Sequence, residues 1–167
     1  MADFSFINAA GSISHRKRGV TQTSINSFEV TTAMIDNADD NLFVLELNSN
    51  DKLVDLKIFS DDLDSNASPA LAYNIGLAYG RNSLGRAEFT IIDADCIGTA
   101  ATVGQAANTT GGNLAFEARD IADVNKELWE VAGLSSDPSC TFYLVFDLTT
   151  AAATPVAGTI AIVAHTI

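Results

Sequence analysis

The run from Lys52 to Asn66 (KLVDLKIFSDDLDSN), followed by Leu71 to Tyr79 (LAYNIGLAY), constrains this chain more than any other stretch. Alternation at period two puts Val54, Leu56 and Ile58 on one face of a strand, with Asp55 and Lys57 opposite. Leu71, Tyr73, Ile75, Leu77 and Tyr79 share one face of the next strand. Ala72, Asn74, Gly76 and Ala78 form its other face, small enough for another backbone to approach. The two strands are joined by an acidic, turn-rich loop and carry no nucleophile, base or set of metal ligands. Such a sheet is built to be a surface.

The same period recurs along the chain. Phe28, Val30, Thr32 and Met34 predict one strand; Phe43, Leu45 and Leu47 predict another. Glu88–Ile92 reads as a short fifth strand. Phe142, Leu144, Phe146 and Leu148 line one face of a later strand, with Thr141, Tyr143, Val145 and Asp147 on the other. In Thr159–Thr166, Ile160, Ile162 and Ala164 alternate against Ala161, Val163 and His165. One segment departs from this pattern. Ile121, Val124, Leu128 and Val131 fall on one helical stripe, with Asp120 or Asp123 as N-cap and Gly133 closing the C-terminus. A second short helix is expected near Asp93, and residues 100–113 read as a weakly patterned connection. The fold class predicted is all-β: an antiparallel β-sandwich, jelly-roll-like, with one or two short inserted helices. The division expected is an extended N-terminal arm over residues 1–26 and a sandwich domain over 27–167.

Composition narrows the partners. A net charge of −12 repels phosphate backbones and anionic lipid, which argues against nucleic-acid and membrane binding. Met1–Ile7 lacks the charged-then-apolar shape of a secretory signal, and no apolar run approaches the ~18 residues of a membrane span. Synthesis in a cytoplasm is therefore expected. Cys96 and Cys140 form no CxxC pair; they read as reduced buried thiols, with a disulfide left open.

A search for chemistry returns mostly negatives. No GxSxG, HExxH, Walker loop or GxGxxG is present. His15 and His165 are isolated. Asp62, Asp64 and Asn66 mimic the opening of a calcium loop, but Ala67 stands where glycine is needed and Tyr73 where a bidentate Glu belongs. An acidic turn with Asx-type hydrogen bonds accounts for the same residues. Asp93/Asp95 and Glu127/Glu130 are carboxylate pairs with no sign of a cleft between them. Trp129 reads as an anchor packing its helix onto the sandwich. No catalytic residue and no cofactor is expected. The one concentration of positive charge is Arg16, Lys17 and Arg18, three of the nine basic residues side by side. Clustered charge of this kind suits a foothold on an acidic partner.

The order of segments is similar to that of tailed-bacteriophage head decoration, or cement, proteins. The likeness is carried by Leu53–Ser65, by Leu71–Tyr79 with its Asn-Ile-Gly centre, by Asp93-Ala-Asp95, by Glu127-Leu-Trp-Glu-Val-Ala-Gly133 and by Ala157–Ile162. It spans roughly residues 40–166. The resemblance implies a β-rich, non-enzymatic auxiliary capsid protein on the capsid exterior, a dimer or trimer bridging subunits of the major capsid protein. It offers no catalytic residue to carry over and leaves the basic arm outside its span. A head-fibre or tail-associated phage protein and a carbohydrate-binding jelly-roll module are the alternatives. A row of exposed aromatics would mark the latter, whereas the nine Phe residues fall mostly on inward-facing positions.

Overall fold

The structure is a computed structural model and describes residues 1–7, 20–83 and 85–167. Its strands are β1 (Asp3–Ser5), β2 (Gln22–Val30), β3 (Asn41–Asn48), β4 (Leu53–Ser60), β5 (Ala72–Tyr79), β6 (Ile91–Ala101), β7 (Asn108–Asn113), β8 (Thr141–Thr150) and β9 (Gly158–Thr166). They form two sheets, ordered β1-β3-β8-β5-β6 and β2-β9-β4-β7. The pairing is antiparallel except at β1, which runs parallel to β3. The all-β sandwich read from the sequence is the fold found.

Alternation explains most of the core. Leu71, Tyr73, Ile75, Leu77 and Tyr79 are all buried between the sheets, as are Phe142, Leu144, Phe146 and Leu148. Ile160, Ile162 and Ala164 meet them from the facing sheet. The Tyr73 and Phe146 rings stack with centroids 4.8 Å apart, and together these large side chains supply the main apolar burial.

Several expected elements differ. Thr32–Met34 turns as a 3-10 helix, so the first strand ends at Val30 and begins earlier, at Gln22. The 26/27 boundary thus falls within β2. In β3 a bulge between Phe43 and Leu45 breaks the expected face. Leu45 and Leu47 enter the main core, but Phe43 turns outward to join Ala78, Tyr143 and Val145 in a second cluster. A similar irregularity in β4 buries Leu53 and leaves Val54 half-buried. Residues near Asp93 are strand, not helix, and residues 108–113 pair with β4 as β7.

The expected single helix is two short turns, a 3-10 segment over Ile121–Asn125 and α1 (Leu128–Val131). Asp120 caps the first, accepting from the Ala122 amide at 2.8 Å, and Gly133 closes α1 at φ 71°. Lys126 between them is extended (φ −74°, ψ 139°). The break frees the Leu128 and Trp129 amides to donate to the Asp51 and Ser49 carbonyls of the β3–β4 turn, at 2.8 and 2.9 Å. Hydrogen bonds to the sandwich take the place of helix continuation. Leu128 is buried, whereas Ile121 is 69% exposed.

Gly76 shows what the small face of β5 is for. A Cβ there would lie 2.1 Å from the Asp93 carbonyl oxygen and 2.4 Å from the Ala94 carbonyl carbon. Between Leu77↔Asp93 and Ile75↔Gly98, β6 carries extra residues and bows across the absent side chain.

Candidate interaction surface

The two sheets are finished differently on their outer faces. On the β1-β3-β8-β5-β6 sheet, Phe43, Ala78, Tyr143 and Val145 are buried beneath Ile7, Phe89 and Ile91. Phe89 meets Tyr143 at 5.2 Å and Phe43 edge-on at 4.9 Å between ring centroids. The Tyr143 hydroxyl donates to Glu88, which also faces Arg81 at 3.9 Å. Burial and the Glu88 charge push that phenol well above its ordinary range. The chain between β5 and β6 therefore acts as a cover.

The outer face of the β2-β9-β4-β7 sheet is bare among the described residues. Register aligns three rows across β2, β9 and β4: Ile25–Val163–Lys57, Ser27–Ala161–Phe59 and Thr23–His165–Asp55, with the β9 residue in the middle of each. Ile25 is 68% exposed. Lys57 and Asp55 stand 3.7 Å apart and Glu29, in register with Thr159, adds one further carboxylate, so this face carries little net charge on a strongly acidic molecule. Phe59 lies flat over β7, where a side chain on Gly111 (φ 74°) would come within 2.7 Å of its ring. The result is a flat, weakly charged patch of Ile25, Val163, Ala161 and Phe59, rimmed by hydroxyls. Such patches suit protein contact. No helix of the described residues is long and apolar enough to cross a membrane.

The sequence-derived candidates are placed as follows. Arg16, Lys17 and Arg18, with His15, lie outside the described residues. Asp64 is buried, and its carboxylate accepts four backbone N–H groups: Ala70 at 2.7 Å, Leu71 at 3.1 Å, Ala153 at 2.9 Å and Thr154 at 2.8 Å. Burial alone would raise its pKa, but the four donors outweigh it and hold the carboxyl well below the usual range. Asp62 accepts from the Asp64 amide at 3.2 Å and Asn66 from the Ser68 amide at 2.9 Å. These are Asx turns organised around a clamp that ties the β4–β5 loop to the β8–β9 loop. Among the described residues no group of three His, Cys, Asp or Glu side chains stands close enough to hold a metal ion.

Asp93 and Asp95 sit on the β6 bow. A hydrogen bond shared with Asp93, burial, and the Asp93 charge raise the Asp95 carboxyl. Glu130 accepts from the Glu127 amide at 2.9 Å, and Glu127 accepts from the Trp129 indole at 2.7 Å. Both carboxylates thus serve α1, and Trp129 packs against the core. His165 bonds Thr23 across strands at 3.0 Å. Cys96 and Cys140 are free thiols; burial pushes Cys96 far above its ordinary value.

Two residues escaped sequence reading. Asn26 reaches across the open edge between the sheets, donating to the Val44 carbonyl at 2.7 Å and to Phe6 at 3.2 Å. Phe6 stacks on Phe28 beside it at 4.2 Å. Arg119 is a buried cation held by the carbonyls of Leu53, Ala115 and Asp123, at 3.0 to 3.2 Å. Neither has a local sequence signal, because every partner is remote or main-chain. One signal was available for the bare face: Ile25, an apolar residue among polar neighbours.

No family model matches the chain, and no curated protein matches it. Among solved structures the fold is similar to a chain of the capsid of Ralstonia phage GP4. That match has a TM-score of 0.57 at 21% identity and covers 87% of this chain and 84% of that one. It is similar also to a chain in the capsid asymmetric unit of cyanophage Pam1. There the TM-score is 0.57 at 20% identity, over 96% of this chain and 98% of the other. At these identities the likeness is one of fold.

Proposed function

We propose that this chain is a virion structural protein of a tailed bacteriophage, a decoration or cement subunit bound to the exterior of the head. The observation that carries the reading is the likeness to a chain of the Pam1 capsid asymmetric unit over nearly all of both chains. The Ralstonia phage GP4 match supports it independently. Strand order adds to this. With β1 set aside, β2-β9-β4-β7 faces β3-β8-β5-β6, and the chain changes sheet at every connection but the β5–β6 hairpin. That order supports the jelly-roll-like reading of the sandwich.

The mechanism is one of area and mass action. A subunit that binds the mature lattice of the major capsid protein, and no other state, shifts the equilibrium toward that lattice. The bare sheet face supplies apolar contact, and its low charge limits the desolvation that an acidic surface would suffer. Arg16, Lys17 and Arg18 add a short-range electrostatic foothold on acidic capsid residues. Copies joined as a dimer or trimer gain effective concentration at neighbouring sites. No turnover is involved.

The test is particle association. The polypeptide should co-purify with intact heads in many copies. Ile25→Asp should change the stability of the isolated chain by no more than about 0.5 kcal/mol, as exposed substitutions do, and strip the protein from particles. The triple change Arg16→Glu, Lys17→Glu, Arg18→Glu should weaken attachment without unfolding the sandwich. Heads that keep their full copy number with both variants would refute the proposed contacts; absence of the chain from purified particles would refute the role.

A further inference from the structure

The loop after β5 and the segment after α1 enclose a cleft of about 230 Å³, lined by Tyr79, Ser83, Arg86, Leu134, Ser135, Ser136 and Pro138. It lies away from the bare sheet face, at the end of the sandwich where β5 stops and β8 begins. Its floor is the buried Tyr79 ring, and the Arg86 guanidinium sits over that ring, 5.2 Å from the centroid. A cation held on an aromatic face has its position fixed while its N–H fork stays free to donate.

Arg86 differs from four of the five other described cations; Lys52, the fifth, also lacks an ion pair among the described residues but is not seated on an aromatic ring. Lys57 faces Asp55, Arg81 faces Glu88 and Lys126 faces Asp123. Arg119 is spent on carbonyls. Among the described residues Arg86 has no carboxylate within ion-pair distance, in a chain where 21 acidic residues outnumber nine basic ones. The cleft itself contains no acid. The Tyr79, Ser135 and Ser136 hydroxyls show no hydrogen bond among the described residues, and Ser83 donates to the Gly80 carbonyl at 2.8 Å. A guanidinium fork with hydroxyl donors around it, and no competing carboxylate, is chemistry for an anion.

We infer that this cleft receives a carboxylate side chain from an acidic segment of a partner protein. The planar fork matches a carboxylate in two parallel hydrogen bonds. Nucleic acids, with a charge at every phosphate, are disfavoured by the field of a molecule with net charge −12, more than a protein segment that presents one carboxylate to the cleft. A free carboxylate is disfavoured too. Arg86, Ser135 and Ser136 are exposed, and an ion pair left in water contributes only about 0–1 kcal/mol. The pair gains strength when a docked protein segment brings the carboxylate and excludes water. The inference does not depend on the proposed capsid role.

The experiment titrates the intact chain with a capped peptide carrying one Glu among neutral residues, with the matching Gln peptide, and with sodium acetate. Arg Nε–H and backbone signals are followed by NMR. The acidic peptide should shift the Arg86 Nε signal and the amides of Ser135 and Ser136. The neutral peptide should not, and acetate should bind at least ~10-fold more weakly, a difference of about 1.4 kcal/mol. Arg86→Gln, with an unchanged melting temperature, should abolish the response. Arg81→Gln, which alters a cation outside the cleft, should leave it intact. Equal response to the neutral peptide, persistence in Arg86→Gln, acetate binding as tight as the peptide, or no shift at Arg86 would each overturn the inference.

Discussion

Asp64 shows how far one side chain can organise a loop. Its two oxygens take four N–H groups from two loops that are remote in sequence. Asp64→Asn halves the accepting capacity and turns an N–H₂ toward amide donors. Each buried donor left unmatched costs about 1–3 kcal/mol, so the variant should lose about 3 kcal/mol in chemical denaturation. Asp62→Asn, at an exposed position, should be near neutral. Equal effects of the two changes would refute the clamp. Because those oxygens are already engaged, a chelator should leave the melting temperature unchanged; a fall of many degrees would point to a bound cation instead.

At the level of elements, the sequence was most legible where burial is regular. The strands around Leu71–Tyr79, Phe142–Leu148 and Ile160–Ala164 kept the faces their alternation predicted. It failed where local pattern met a tertiary demand. The Phe43–Leu45 bulge is invisible because Phe43 is as apolar outside as it would be inside; a second cluster makes both faces of β3 hydrophobic. The β6 bow at Asp93–Gly98 exists because Gly76 leaves room, a fact held in another strand. β1 is three residues long and depends on partners in β3 and on the Asn26 bridge beyond it. Asn26→Ala should leave the global melting temperature within a few degrees but speed hydrogen exchange at Phe6, whose amide donates to the Phe43 carbonyl at 2.9 Å. Unaltered exchange there would show that the bridge does not hold β1 in place.

Across the whole molecule, charge is unevenly distributed. The end formed by residues 31–40, 61–71, 102–107 and 151–157 carries Asp36, Asp39, Asp40, Asp61, Asp62 and Asp64 with no Lys or Arg. Lys52, Arg81, Arg86, Arg119 and Lys126 all lie at the opposite end. This acidity sets the pH response. The Asp93 hydrogen bond, burial and the Asp93 charge raise Asp95; burial and the charges of Asp39 and Asp95 raise Asp147; burial raises Glu117. A raised carboxyl contributes stability that is fully present below its ordinary value and is lost as pH rises through the folded value. Asp64, depressed, contributes stability present above its ordinary value of about 3.9 and lost as pH falls below it. The melting temperature should therefore rise as pH is lowered toward the ordinary carboxylate range near about 4, then fall below it. Asp95→Asn should flatten the first limb. A steady decline from pH 7 downward in calorimetry would show that the raised carboxyls do not govern this range.

Period-two alternation by itself determined a β-sandwich and the membership of most of its core, because burial on one face of a strand is a local rule. The acidic surface and the isolation of the Arg16–Arg18 cluster were equally plain from composition and spacing. Only the tertiary structure decided where the expected helix breaks and, among the described residues, which sheet face is covered and which is bare and that Arg86 stands over Tyr79 without a carboxylate. Each of those depends on groups far apart in the chain competing for the same hydrogen bond, space or charge.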